Sequence, residues 1–501
     1  MAKAPPAAQE KESDADANAL ERLGYRQELR RALGGFANFA ISFSIISVLT
    51  GVTTTYGTAL GGGGPAGLGL GWPLVSLGTI FVAVAMAELA SAFPTAGALY
   101  HWAALLGGPG FGWFTAAMNL AGQVAIVAAI DLGCAQAMAA TLRMSPAASW
   151  WLFAAILASH GVLNVVSVRV VAWLNGFSAT VHVVGVLCVT GALVLFARAR
   201  PLSFLAETGF TLRPDGSYPL GFLNALILGM WTFTGYDASA HVSEETHDPA
   251  RSAPRGIVFA VVMSALFGFA FAAALTLAIR DLPAAAADPQ PPLYILRVAL
   301  GERAGNALMS AVVGAMWFCG LSSVTSASRM LFAFARDEGL PGWRALRTVS
   351  PRFRTPAVAT VVATVAPFML VLATAPFSDK VFLAVASLAT TGLYVSYAIP
   401  IALGAIARKR RIWVHEGPWN VGRWGVPVAW IAVLWSLFVL VVSCLPPNGA
   451  AGLLIGGTVT FLALFYLAFV RRRFRGPAVT LREFENRMNT HGARPSSPGP
   501  A

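Results

Sequence analysis

Phe233-Thr234-Gly235-Tyr236-Asp237 interrupts an otherwise apolar segment, and its reading decides the fold of this chain. Apolar residues run from Leu220 to Trp231 before it and resume at Ala238 after it. Gly235 gives the backbone freedom to leave a helix, and Asp237 places a carboxylate among apolar neighbours. A second interruption, Ser47-Val48-Leu49-Thr50-Gly51, lies inside the first apolar segment. Open backbone and unpaired carboxylates are costly in hydrocarbon, so such breaks persist where they line a cavity or bind something. Two interrupted helices at corresponding places in two halves point to the binding site of a secondary transporter.

Composition supports a membrane setting. Of 501 residues, 56% are hydrophobic and only 12% charged, against about 25% charged in an average soluble domain. The net charge of +12 would suggest nucleic acid in a soluble chain. Here the basic residues read as topology determinants, and no nucleic-acid partner is expected. The four cysteines, Cys134, Cys188, Cys319 and Cys444, lie in or at the ends of apolar runs without CxxC or Cys/His spacing. No disulfide framework, metal site or cofactor is implied. Only Lys3, Lys11, Lys380 and Lys409 are lysine, which with heavy Ala, Gly and Pro usage suggests a GC-rich, bacterial source.

A bilayer core takes about 20 apolar residues per helix. Twelve spans are expected, near 34–60, 72–99, 111–141, 149–166, 169–197, 220–242, 256–279, 304–334, 356–375, 380–405, 426–445 and 450–470. Residues 1–33 form a polar tail of mixed charge, so the first apolar run reads as a genuine span and not a cleaved leader. Arginines cluster at 22–31, 336–354, 408–411 and 471–473, whereas the alternate loops hold only scattered residues such as Arg143, Arg198, Arg213, Arg280 and Lys380. This bias puts both termini in the cytoplasm, with an inner-membrane location. The basic tail 471–501 reads as disordered, and the polar loop 198–219 as a cap on the outer mouth.

The breaks lie five spans apart, and an odd offset reverses membrane orientation. Spans 1–5 (34–197) and 6–10 (220–405) can therefore be inverted repeats, with spans 11 and 12 (426–470) appended.

Specific strings carry a family resemblance. They are GFANFAISFSIISVLTG at 35–51, GGPAG at 63–67, AELASAFPTAGALYHWA at 87–103, FTGYDASAHVSEET at 233–246 and SRMLFAFARDEGLPGW at 328–343. With these the chain resembles the amino acid–polyamine–organocation superfamily, and within it the amino acid/choline transporter family. The resemblance implies an all-α, leucine-transporter-like 5+5 fold with helices 1 and 6 broken. It also implies a substrate held between spans 1, 3, 6, 8 and 10.

The residues themselves fit that expectation. Opening span 1 at Ser47, Val48, Leu49, Thr50 and Gly51 frees amides that suit a carboxylate. In span 6 the carbonyls of Phe233 and Thr234, beside Gly235, can accept from an ammonium, with Tyr236 as cover or gate. Asp237 either pairs with a substrate amine or braces neighbouring spans. Asn119 and Gln123 share one face of span 3 and contact either substrate or another helix. Tyr394, in span 10, closes the outer path or packs. Glu88 reads as a helix brace and Asp131 as an interfacial charge near the outer surface.

Coupling stays open between two ions. Ser322 and Ser323 resemble the sodium-site hydroxyls of the leucine-transporter fold, and oxygen ligands suit a hard cation. His182 follows Asn175 by seven residues, about where similar superfamily members carry a lysine in place of the sodium ion. An imidazole there either relays protons or packs as a neutral group. The expected function is an alternating-access permease for an amino acid or related amine, choline and 4-aminobutyrate included, with protons the favoured coupling ion. Enzyme motifs such as HExxH and GxSxG are absent from the sequence, and a receptor that binds without transporting is the rival reading.

Overall fold

The computed structural model describes residues 16–377, 381–445 and 449–492. The tail residues 1–15 and 493–501, and Lys380, lie outside them. Among the described residues no strand forms, and the β pairing is one isolated bridge, Leu33 to Thr246.

The first apolar segment forms α1 (Gly35–Ile46) and α2 (Val48–Gly69). Next come α3 (Gly71–Ala92), α4 (Leu99–Gly107), α5 (Pro109–Thr141), α6 (Ala148–Val166) and α7 (Val168–Phe196). The second broken segment is α8 (Tyr218–Ala225), α9 (Ile227–Thr232) and α10 (Ala238–His241). Then follow α11 (Pro249–Leu277), α12 (Leu282–Ala287), α13 (Pro291–Leu300), α14 (Glu302–Arg336) and α15 (Trp343–Leu346). The chain continues through α16 (Ala357–Thr374), α17 (Val381–Lys409), α18 (Gly425–Ser443), α19 (Gly449–Phe465) and α20 (Leu481–Gly492).

Local chemistry sets these ends. Pro109 and Pro249 sit in the first turns of α5 and α11, where a missing N–H costs no hydrogen bond. Ser167, in extended conformation, separates α6 from α7 and caps α7 by accepting from the Val170 amide at 3.2 Å.

Eleven helical segments are long and apolar enough to cross a membrane, α1 and α2 together counting as one. The twelfth expected span, 220–242, is the one broken into α8, α9 and α10, none of which alone has that length. The segments formed by α1–α2 and by α5 are the most enclosed, while α19 is almost wholly exposed on its flanks. The centre of the bundle is therefore built from the broken segments and α5, with α14 and α17 packed against α5. The 198–219 segment lies along the end of α2, where Leu212 donates its amide to Gly61 O at 2.7 Å.

Both described chain ends lie on one face. Val479 packs beside Gly24, and Arg487 donates to the carbonyls of Glu21 and Arg22. Composition alone reads 471–501 as disordered, but Leu481–Gly492 is a helix. Leu481, Phe484 and Met488 recur at helical spacing and give it an apolar edge. Phe484 uses that edge to meet Phe93, at 5.3 Å between ring centroids.

Candidate functional site

The first break is a single residue wide. Ser47 adopts φ 32°, ψ 81°, a left-handed conformation uncommon for a residue with a side chain. It ends α1 and caps α2, its hydroxyl accepting from the Thr50 amide at 3.2 Å and its carbonyl from the Gly51 amide at 2.9 Å. The amides of Val48 and Leu49 head α2 with no preceding helical carbonyl to bond. The carbonyl-rich end of α1 and the amide-rich end of α2 therefore meet at Ser47.

Gly51 is not part of the open backbone. It lies in the first turn of α2, and a Cβ there would run into Thr232 of α9. Its role is close approach between the two broken segments.

The second break runs from Phe233 to Asp237. Gly235 has φ +82°, which glycine adopts without strain. Its α-carbon lies against Ile45 of α1 and Ile126 of α5, so the two breaks face each other directly. The last carbonyls of α9 lack amides four residues on, because the helix ends at Thr232.

Asp237 is completely buried and held by four side chains. Tyr397 donates to Oδ1 at 2.9 Å. Asn119 and Gln123 point their amides at Oδ2 from 3.1 and 3.5 Å, and His241 Nε2 lies 3.1 Å from the same oxygen. Tyr397 also accepts from the Gly235 amide at 3.2 Å, so it ties both sides of the break to α17. Tyr236 stacks near Tyr397 at 5.1 Å between centroids, and its hydroxyl has no partner. Tyr394 lies one turn away, 3.3 Å from the Thr79 hydroxyl.

His182 meets the first break. Its Nε2 is 2.7 Å from the Ser47 hydroxyl, and its Nδ1 is 2.8 Å from Ser178 O. The two expected sodium-site hydroxyls do not join it. Ser322 donates to Asn175 Oδ1 at 2.8 Å, and Ser323 donates to Cys319 O of its own helix at 2.9 Å. Among the described residues no cluster has metal-binding composition.

Asp131 departs from its expected place. It is completely buried, with His160 Nδ1 of α6 at 3.1 Å. The helix α5 continues for ten residues past it, roughly 15 Å of further rise, so Asp131 lies well inside the bundle. Glu88 is a brace, as read, bonded to Arg408 at 2.5 Å and accepting from the Val421 amide at 2.8 Å.

The two faces of the bundle differ. On the face with the chain ends, Arg329 holds Glu245 through two nitrogens at 2.6 and 3.3 Å. Arg336 holds Glu244 the same way at 2.8 and 2.9 Å. These pairs tie α14 to the segment after α10. Asp337 accepts from Tyr25 at 2.8 Å and Tyr100 at 2.9 Å, with His101 at 3.0 Å. Towards the other face, a cavity of 530 Å³ lies between α2, α5 and the α12–α13 connection, lined by Thr53, Thr54, Gln136, Asp288, Gln290 and Phe382 among others. Trp231 contacts two of these lining residues, donating to Thr54 at 3.3 Å and meeting Phe382 edge-on at 6.1 Å.

Sequence reasoning missed three partners of the breaks. His241 was legible as the residue four after Asp237, one helical turn on. Ser42 donates to Tyr236 O at 2.7 Å, and Cys319 lies 3.2 Å from Ile45 O. Nothing in their local sequence marks these two, because each pairs across more than 190 positions.

The family model described as amino acid permease matches residues 33–470. An amino-acid permease of Arabidopsis thaliana, BAT1, is 36% identical over 496 residues, covering 91% of this chain and 95% of the relative. The GABA-specific permease of Saccharomyces cerevisiae is 26% identical over 516 residues, covering 93% and 86%. A putative polyamine transporter of Candida albicans is 24% identical over 506 residues, covering 94% and 90%.

Proposed function

The chain belongs to the amino acid permease family, and on that premise we propose a secondary active transporter that moves an amino acid or related amine by alternating access. The observation that carries this reading is the face-to-face meeting of the two breaks, Ile45 against Gly235. A substrate carboxylate would take the Val48 and Leu49 amides at the head of α2. Its ammonium would take carbonyls at the end of α9 and those of Phe233 and Thr234 in the break that follows. The segments 34–197 and 220–405 act as inverted repeats around this centre. Rocking of the broken segments with α3 and α11, against α5, α6, α14 and α16, exposes the site to each side in turn.

The face with the chain ends is cytoplasmic in this reading, and the membrane is a bacterial inner membrane. The paired Arg329–Glu245 and Arg336–Glu244 contacts close that face, while the 530 Å³ cavity approaches from outside. The coupling ion is the proton. Support comes from the hydroxyls of Ser322 and Ser323, which are engaged elsewhere, and from the His182 imidazole that meets Ser47 in place of a cation cage.

Counterflow of labelled 4-aminobutyrate and L-alanine in proteoliposomes tests the transport reading. Exchange of label across the bilayer is expected. Saturable binding without exchange would make the protein a receptor.

A further inference from the structure

His241 sits between two hydrogen-bond acceptors. Its Nδ1 is 3.0 Å from the carbonyl oxygen of Ala96, and its Nε2 is 3.1 Å from Asp237 Oδ2. A carbonyl oxygen only accepts, so Nδ1 carries a proton. The carboxylate already receives Tyr397, Asn119 and Gln123 as donors. An ionised Asp237 is an acceptor too, and Nε2 then also carries a proton. With both facing atoms bare, two lone pairs would meet at hydrogen-bond distance. In that form the ring is an imidazolium beside a carboxylate, and the buried pair is neutral as a whole. Loss of one proton would leave a net negative charge fully buried, which is costly.

The pair also has a mechanical position. Ala96 accepts His241 on its carbonyl, while its amide donates to Glu244 Oε1 at 3.1 Å. Glu244 is the carboxylate that Arg336 grips. One residue, through its two flanking peptide groups, therefore links the Asp237–His241 pair to the closed gate. The charged and titratable groups around it are Glu244 and Arg336 through Ala96, with His101 of α4 beside Glu244, Glu245 and Arg329 on the adjoining gate pair, Tyr236 next to Asp237 in the break, and Tyr397 on α17.

We infer that the Asp237–His241 pair is the binding site of the coupling proton, and that His241 is a positioning residue for the cytoplasmic gate. This rests on the transport reading above. In the gate-closed state the imidazolium donates to both Asp237 and Ala96. When this face opens transiently, release of one proton to water there leaves a neutral ring with a single N–H. Either Ala96 or Asp237 then loses its donor. Losing the Ala96 bond frees the residue whose amide holds Glu244 beside Arg336, and losing the Asp237 bond removes one of the anchors of the second break. In both cases proton release loosens contacts that hold this face shut.

Two measurements on the full chain test this. The first needs no substrate: nitrogen NMR of histidine-labelled protein, with the His241 signals assigned by their loss in His241→Gln. Both ring nitrogens should be protonated at neutral pH, and a bare nitrogen on His241 would overturn the proposal. The second counts protons entering proteoliposomes per molecule of 4-aminobutyrate, or of L-alanine if that is the compound exchanged. His241→Gln should lower the ratio from about one to near zero, and an unchanged ratio would overturn the proposal. Failure of the unaltered protein to exchange either compound would count against the transport reading, while the NMR result would still decide the protonation of His241.

Discussion

The imidazole Nε2 of His182 lies 2.7 Å from the hydroxyl of Ser47, joining α7 to the one residue that breaks the first segment. Because Nδ1 faces Ser178 O at 2.8 Å, it is Nδ1 that holds the proton. A second proton would bury a charge with no carboxylate beside it, so Nε2 is a bare acceptor and Ser47 donates to it. The same Ser47 oxygen accepts from the Thr50 amide, with the Thr50 hydroxyl 2.6 Å away. His182 is thus a neutral ring satisfied at both nitrogens, and it fixes the rotamer of a capping serine.

From this follows an expectation for coupling and stability. Uptake should follow an inward proton gradient and persist in sodium-free buffer. His182→Ala leaves the Ser47 hydroxyl buried without its acceptor, a loss of about 1–3 kcal/mol. His182→Gln can still accept and should lose less. Thermal denaturation of both variants, with uptake in sodium-free medium, checks this. A strict sodium requirement would return Ser322 and Ser323 to the role of ion ligands.

Bulk at the meeting of the breaks should block the site. A side chain at Gly51 runs into Thr232, and one at Gly235 meets Ile45 at a φ that disfavours any Cβ. Overpacking of this kind costs roughly 1–3 kcal/mol. Gly51→Leu and Gly235→Leu should fold and yet show no ligand-induced rise in melting temperature. Retained affinity in both variants would move the substrate away from the breaks.

Asp237→Asn keeps the size of the side chain and removes its charge. The new amide would turn a donor towards Asn119, Gln123 or Tyr397, each of which now donates to the carboxylate. Lost charge-assisted bonds are worth about 1.5–3 kcal/mol each. Substrate affinity should fall modestly while the transport rate falls more, because the carboxylate anchors the break and, in the proposed mode of binding, carbonyls rather than Asp237 take the ammonium. Complete loss of equilibrium binding by folded Asp237→Asn protein would mean direct contact with the substrate amine instead.

The contact between Arg336 and Glu244, proposed above as a gate, should weaken in acid. Burial, the largest single influence, would raise the Glu244 carboxyl, but the Arg336 guanidinium, the Ala96 amide and His101 together outweigh it and hold the carboxyl below its ordinary value. A carboxyl lowered on folding contributes stability that is full above its unfolded value, about 4.3 for glutamate. That contribution is lost as pH falls through the lower folded value. Hydrogen exchange at residues 243–248 should therefore accelerate below about pH 4. Arg336→Ala, which leaves the Glu244 charge buried and unpaired, should cost about 3–5 kcal/mol and open this face at neutral pH. Unchanged exchange in Arg336→Ala would show that the pair does not hold the gate.

Much of the architecture was legible because lipid imposes simple rules. Apolar runs of spanning length must be helices, since hydrocarbon cannot satisfy exposed backbone groups. The same rule exposed Ser47 and Phe233–Asp237 as exceptions that needed a reason. The resemblance carried by residues 233–246 and 328–343 pointed to the same family as the 33–470 match. The rule says nothing of depth, and Asp131, read as interfacial, is buried with His160.

What the sequence determined by itself was the run of membrane helices, the two interruptions and the residue types within them. Those depend on local periodicity, backbone freedom and the cost of polar groups in lipid, all of which act over a few residues. Tertiary structure alone decided the partners. It set Asp237 among Tyr397, Asn119 and His241, gave Ser47 to His182 and sent Ser322 to Asn175. Apart from His241, these pairings join distant segments. Hydrogen bonds form only over about 3 Å, so their choice depends on how whole helices pack, which no local pattern of residues records.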